Sequence, residues 1–222
     1  MHLQGIIFDI DGTLVDSNEA HIDCWIEAFQ SFHKTFDRAT IGSQMGKGGD
    51  LLVPDLLNAR EMRSFGEDLQ KSRGKLYKEK YLRAIKPFPA IRSLFQSLRA
   101  EGLKLALASS SDAEEVKYYT GLLEVGDLLE GSTSKKDARF SKPSPEIFAA
   151  ALEQLGTDDA RTIAVGDTPY DILAAHRVPL PVIAVRSGGF EDELLKKAEF
   201  LFDDVAEMGR EIDRIDEYFR ND

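Results

Sequence analysis

The sequence predicts an α/β protein, a Rossmann-like parallel-sheet core carrying an inserted all-helical cap. Three observations predict it. Short apolar runs recur as buried strands, the first at Ile6-Ile7-Phe8 and others over 103–108, 162–165 and 182–185. In the second half these runs alternate with helical patterns, the βαβ order that builds a parallel sheet covered on both faces. From 36 to 86 the alternation stops, and the pattern is helical with no convincing strand.

Taken in order, Ile6-Ile7-Phe8 runs into Asp9-Ile10-Asp11-Gly12-Thr13, a turn sequence that ends a buried strand. Ile22, Trp25, Ile26, Phe29 and Phe32 then repeat at helical spacing, with Ser17 or Asn18 as the N-cap. Gly46, Gly48 and Gly49 interrupt the next helical stretch with a loop. Ile91, Leu94, Phe95 and Leu98 make a helix closed by Gly102, followed by a strand over 103–108 and a helix over 113–121. Ile147, Phe148, Ala151, Leu152 and Leu155 make a helix ended by Gly156, and a strand over 162–165 leads into Gly166-Asp167. A helix over 172–176, strands over 182–185 and 200–202, and one amphipathic helix through Val205, Met208, Ile212, Ile215 and Phe219 follow. The core is expected over 1–15 and 88–222, and the cap over 16–87.

The chain has 222 residues, and 28 Lys+Arg against 39 Asp+Glu give a formal charge of −11. That balance argues against nucleic acid as the partner, because phosphate backbones select basic surfaces. The single cysteine, Cys24, excludes an intramolecular disulfide and zinc sites built on several cysteines. No apolar run approaches the ~20 residues of a membrane helix, and the first residues read as a strand rather than a signal peptide. The expectation is a cytoplasmic protein with no membrane or nucleic-acid partner; monomer and homodimer both stay open.

In open parallel sheets, ligands bind beyond the carboxyl ends of the strands. The polar residues expected there are Asp9 and Asp11 after the first strand, Ser109 and Ser110 after the second, and Asp167 after a later one, with Asp171 four residues on. Lys142 lies in a loop just before a helix. The two-residue period of a strand puts Asp9 and Asp11 on one side where the strand ends. Singly, each segment is an ordinary turn, cap or surface residue; their common place at strand ends gives them weight. Three or more carboxylates at one point repel and need a cation. Hard carboxylate oxygens beside a substrate phosphate suit Mg²⁺.

The order of these segments carries a resemblance. Phe8-Asp9-Ile10-Asp11-Gly12-Thr13-Leu14-Val15-Asp16-Ser17 resembles motif I of the haloacid dehalogenase-like superfamily. Leu105-Ala106-Leu107-Ala108-Ser109-Ser110 resembles motif II, Ser141-Lys142-Pro143-Ser144-Pro145 motif III, and Val165-Gly166-Asp167-Thr168-Pro169-Tyr170-Asp171 motif IV. The four together cover essentially the whole chain. The insertion between the first two is similar to the helical cap of the phosphoglycolate phosphatase and β-phosphoglucomutase branch. The resemblance implies Asp9 as the nucleophile that forms an aspartyl-phosphate and Asp11 as general acid, then base. It implies Thr13, Ser109, Ser110 and Lys142 around the phosphate, and Mg²⁺ on Asp9, Asp167 and the backbone carbonyl of Asp11. Asp171 would support the metal from behind. The partner would be a small phosphorylated metabolite.

An Asp at the second acidic position of motif I favours phosphate esters over the dehalogenating and carbon–phosphorus-cleaving relatives. His21 and Trp25 fall where β-phosphoglucomutase-like sequences have a His and a Trp, whereas Gly166-Asp167-Thr168-Pro169-Tyr170-Asp171 is closer to the phosphatase form. Lys47, in the loop Met45-Gly46-Lys47-Gly48-Gly49-Asp50, is expected to read the non-reacting end of the substrate. The expected activity is a Mg²⁺-dependent phosphatase. The alternatives are a sugar phosphate mutase and, from a different class, an inactive fold used as a binding module.

Overall fold

The computed structural model describes residues 2–220. Met1, Asn221 and Asp222, counted into the core by the sequence reading, lie outside the described residues. The strands, in chain order, are β1 (Gly5–Phe8), β2 (Val15–Asp16), β3 (Lys86–Pro87), β4 (Lys104–Ala108), β5 (Gly131–Thr133), β6 (Thr162–Gly166), β7 (Val182–Val185) and β8 (Phe200–Phe202). Six of them form one parallel sheet in the order β5-β4-β1-β6-β7-β8. β1 is central and wholly buried, which is why its sequence is a continuous apolar run rather than an alternation.

The helices are α1 (Asn18–Ser31), α2 (Arg38–Gly42), α3 (Gly49–Leu56), α4 (Ala59–Glu61), α5 (Glu67–Leu76), α6 (Ile91–Ala100), α7 (Ala113–Leu123), α8 (Glu146–Leu155), α9 (Pro169–His176), α10 (Asp192–Leu195), α11 (Val205–Arg210) and α12 (Ile212–Tyr218). One face of the sheet presents Ile6, Phe8, Leu105, Leu107, Ile163 and Val165 to Phe95, Val116, Met208 and Ile215. The opposite face presents Ile7, Ala106, Ala164 and Val182 to Ile147, Phe148, Ala151 and Ile172. The smaller alanines leave room for the phenyl ring of α8. A third cluster, with Ile22, Trp25, Phe29, Ile41, Leu52, Val53 and Leu69, is built by the helices that follow β2.

Register positions the site. Phe8 of β1 lies level with Leu107 of β4 and Val165 of β6. The chain therefore leaves the sheet at one edge with Asp9, then Ser109, then Asp167 a residue or two further on.

The structure departs from the expectation in three places. β5 has no apolar run, only Gly131-Ser132-Thr133 at the sheet edge, so periodicity could not reveal it. β2 and β3 are two residues each and pair antiparallel, Val15 with Pro87 and Asp16 with Lys86, bringing together the two ends of the helical stretch between them. The expected last helix breaks at Glu211 into α11 and α12. Gly209 lies just before that break, where a Cβ would sit 2.3 Å from Leu94 Cδ1 of α6.

Candidate active site

β1 ends at Phe8, so Asp9 and Asp11 stand in the loop beyond it and the two-residue strand period does not govern them. Both nonetheless line one cavity of about 120 Å³, together with His21, Lys47, Ser110 and Arg73. Their carboxylates have different partners. Asp9 accepts from the Lys142 ammonium, whereas Asp11 accepts from Ser17 Oγ at 2.7 Å, Ser111 Oγ at 2.9 Å and His21 Nε2 at 2.8 Å.

The Lys142 side chain is buried behind Asp9. Its Nζ also donates to the Ala108 carbonyl at 2.8 Å and pairs with Asp171 Oδ1 at 2.7 Å. Burial alone would lower the lysine, but Asp171 and Asp9 outweigh it and raise it, keeping the ammonium charged. Asp171 is fixed by its place in α9. Thr168 is the N-cap, Pro169 follows at the first helical position, and Asp171 Oδ2 accepts from Thr168 N at 3.1 Å and Thr168 Oγ1 at 2.6 Å. One oxygen of Asp171 thus caps the helix and the other holds Lys142.

Asp167 is fully buried. It accepts from Thr13 Oγ1 at 3.2 Å and Asn18 Nδ2 at 2.9 Å. Gly188 lies so close that a Cβ there would come within 1.7 Å of the Asp167 carboxylate. Gly12, at φ +74°, supplies the left-handed turn on the other side.

Oxygens of Asp9, Asp167 and Asp171 lie within 4.8 Å of one another. Three buried carboxylates share one lysine, leaving two negative charges uncompensated when all are ionised. Burial first, with Asp171 and Asp9 beside it, pushes Asp167 well above the usual carboxylate range. Burial likewise raises Asp9 against the pull of Lys142. This all-oxygen donor set with excess charge fits a hard divalent cation. Asp11 is the opposite case: burial would raise it, but His21, Ser17 and Ser111 hold its carboxyl below the usual range. The Asp11 side chain is outside the carboxylate cluster.

Of the other expected residues, Ser110 is on the cavity wall, and its Oγ accepts from Lys142 N at 3.4 Å. Ser109 is buried just behind, accepting from Ser111 N at 3.0 Å. The Thr13 hydroxyl is directed to Asp167. Lys47 is on the wall, but its ammonium is held by Asp55 at 2.6 Å and Gln44 at 2.7 Å and lies 4.7 Å from the Tyr170 ring centre. Its loop is clasped to the core: Gly48 N donates to Ser141 Oγ at 2.9 Å, Ser141 N to Asp50 Oδ2 at 3.0 Å, and Tyr170 Oη to Ser43 O at 2.7 Å. Ser111, Arg73 and Lys135 also line the cavity and were not singled out from sequence. Ser111 stood in plain view, directly after Ser110.

The family model described as haloacid dehalogenase-like hydrolase matches residues 6–185. "Probable phosphatase IndB" of Dickeya dadantii is 30% identical over 87% of this chain and 86% of its own length. A phosphoglycolate phosphatase of Neisseria gonorrhoeae is 29% identical over 99% of this chain and 93% of its own. The crystal structure of a hydrolase from Pseudomonas syringae superposes with a TM-score of 0.85 at 26% identity, covering 96% of this chain and 99% of that one. With the four segments gathered at one edge of a six-stranded parallel sheet and the family match spanning most of the chain, the protein belongs to the haloacid dehalogenase-like hydrolases and is an enzyme of that family.

Proposed function

We propose that the protein is a Mg²⁺-dependent phosphatase of a small phosphomonoester metabolite, of the sugar phosphate or phosphoglycolate type, working through an aspartyl-phosphate on Asp9. The observation that carries this reading is the pairing of two unlike carboxylates on one cavity. Asp9 is bound to a buried lysine within a carboxylate cluster, and Asp11 is held by Ser17, Ser111 and His21 on the same space.

In this mechanism an Asp9 oxygen attacks phosphorus while the ester P–O bond breaks. Lys142 neutralises charge on Asp9 and on the phosphoryl group, and Ser109 and Ser110 with the backbone N–H groups that follow them surround its oxygens. Asp9, Asp167 and the Asp11 carbonyl, with Asp171 behind, would hold Mg²⁺, which would offset the negative charge of the carboxylates and the phosphate. Asp11 takes up a proton from solvent as the substrate phosphate enters and displaces one of its present donors, and gives that proton to the leaving oxygen. It then takes a proton from the water that hydrolyses the aspartyl-phosphate. The carboxylate form described here is the one needed for that second half.

Residues 16–87 serve as a cap on a core of 1–15 and 88–222, hinged where β2 pairs with β3. The Gly48–Ser141 and Asp50–Ser141 bonds supply its closed state and exclude bulk water.

Phosphate release from a panel of small phosphomonoesters, with and without Mg²⁺, tests the proposal. Metal-dependent release that vanishes in Asp9→Asn supports it. Absence of release from every ester favours the binding-module reading. Net glucose 6-phosphate from β-glucose 1-phosphate with a bisphosphate primer identifies the mutase instead.

A further inference from the structure

We infer that Arg73 selects the substrate by gripping a second anionic group, a carboxylate or a further phosphoryl, on the leaving-group side of the phosphomonoester. The inference rests on the phosphatase reading above and names the substrate class that reading leaves open.

Arg73 comes from α5 and faces the cavity shared by Asp9 and Asp11. Its guanidinium lies 4.9 Å from the Trp25 ring centre and 4.8 Å from that of Tyr77. Two aromatic rings fix the plane of the fork without using its N–H donors. One donor is used: Nη2 bonds to His21 Nδ1. A guanidinium has no acceptor, so Nδ1 must accept, and the proton on Nε2 is directed to Asp11. The His21 ring itself stacks on Tyr77 at 4.2 Å. Arg73 is therefore one side chain, His21, away from the carboxylate that serves the leaving oxygen.

Another donor of the fork is unanswered. Arg73 Nε is buried and has no hydrogen-bond partner. Among the described residues no carboxylate forms an ion pair with this guanidinium, in contrast to Lys142, held by Asp9 and Asp171, and Lys47, held by Asp55. Glu115 shares the wall; burial raises its carboxyl and the charge of Arg73 lowers it, but the two make no ion-pair contact. A cation partly removed from water without a contacting counter-ion is costly; a planar or tetrahedral anion offering two oxygens to the fork supplies what is missing.

The test compares kcat/KM for 2-phosphoglycolate, pyrophosphate and ethyl phosphate in wild type, Arg73→Gln and the charge-keeping Arg73→Lys. The wild type is expected to favour one of the two anionic substrates over ethyl phosphate by about 10- to 100-fold, and which one it favours identifies the second anion. Arg73→Gln should collapse that ratio at least tenfold, and Arg73→Lys should restore part of it. An equal fall on all three substrates marks a merely structural role and overturns the inference, as does a wild-type ratio near one. Release of phosphate with an Arg73-independent preference overturns the inference alone. No release of phosphate from any of the three substrates by the wild type overturns it together with the phosphatase reading.

Discussion

Lys142 and Asp171 form a fully buried ion pair, Nζ to Oδ1 at 2.7 Å, and the same ammonium holds Asp9. One cation thus ties the loop after β1 to the first turn of α9, through residues far apart in the chain. Replacing Lys142 by Met leaves Asp9, Asp167 and Asp171 without a protein counter-charge. The expected loss is about 3–5 kcal/mol of stability and about 10²–10³ in turnover. Thermal denaturation with and without a divalent cation checks it: the cation should recover part of the lost stability. A variant as stable as wild type without metal would show that the carboxylates are neutral.

Stability should depend on pH in a defined direction. Asp9 and Asp167 are raised above their usual value of 3.8, Asp9 to about 7. Between pH ~4 and ~7 the folded state then holds more protons than the unfolded chain, so stability falls as pH rises through that window. Asp11 is lowered, so its contribution is present above pH ~4 and is lost only as pH falls further. Metal-free protein should therefore melt at a lower temperature at pH 7.5 than at pH 5. A divalent cation, binding the ionised cluster, should stabilise it more at pH 7.5. Equal metal-induced shifts at both pH values would contradict the cluster as the binding site.

Ser111 holds Asp11 from a position 100 residues along the chain. Ser111→Ala removes one donor to the carboxylate. Where hydrolysis of the aspartyl-phosphate limits turnover, the acidic limb of the kcat profile, which needs Asp11 as carboxylate, should move up by about half a unit to one unit. An unmoved limb would mean that this bond does not set the protonation of Asp11.

Much of this site was legible in the sequence because its residues follow the apolar strands β1, β4 and β6 directly, and register carries them to one sheet edge. What escaped depends on distant partners. Arg73 sits on a largely polar helix and reads as a solvent-facing residue until α1 brings Trp25 and His21 against it. Thr13 reads as a phosphate contact until Asp167 arrives from β6 to accept its hydroxyl. β5 escaped for lack of side chains to pattern, since an edge strand of three residues is defined by its pairing with β4 alone.

Ser141 Oγ accepts from Gly48 N, closing the glycine loop over the cavity. Ser141→Ala deletes that acceptor and should cost about 1 kcal/mol of closure. KM should rise about three- to tenfold with the metal requirement unchanged. Steady-state kinetics over a substrate series checks it, and an unchanged KM would remove the loop from substrate capture.

The central claim is that Asp9 carries the phosphoryl group. Acid-quenched enzyme, mixed with a turned-over substrate and digested, should show one added phosphoryl on the peptide containing Asp9, labile to base and absent in Asp9→Asn. A phosphoryl group on another residue, or turnover retained by Asp9→Asn, would contradict the account.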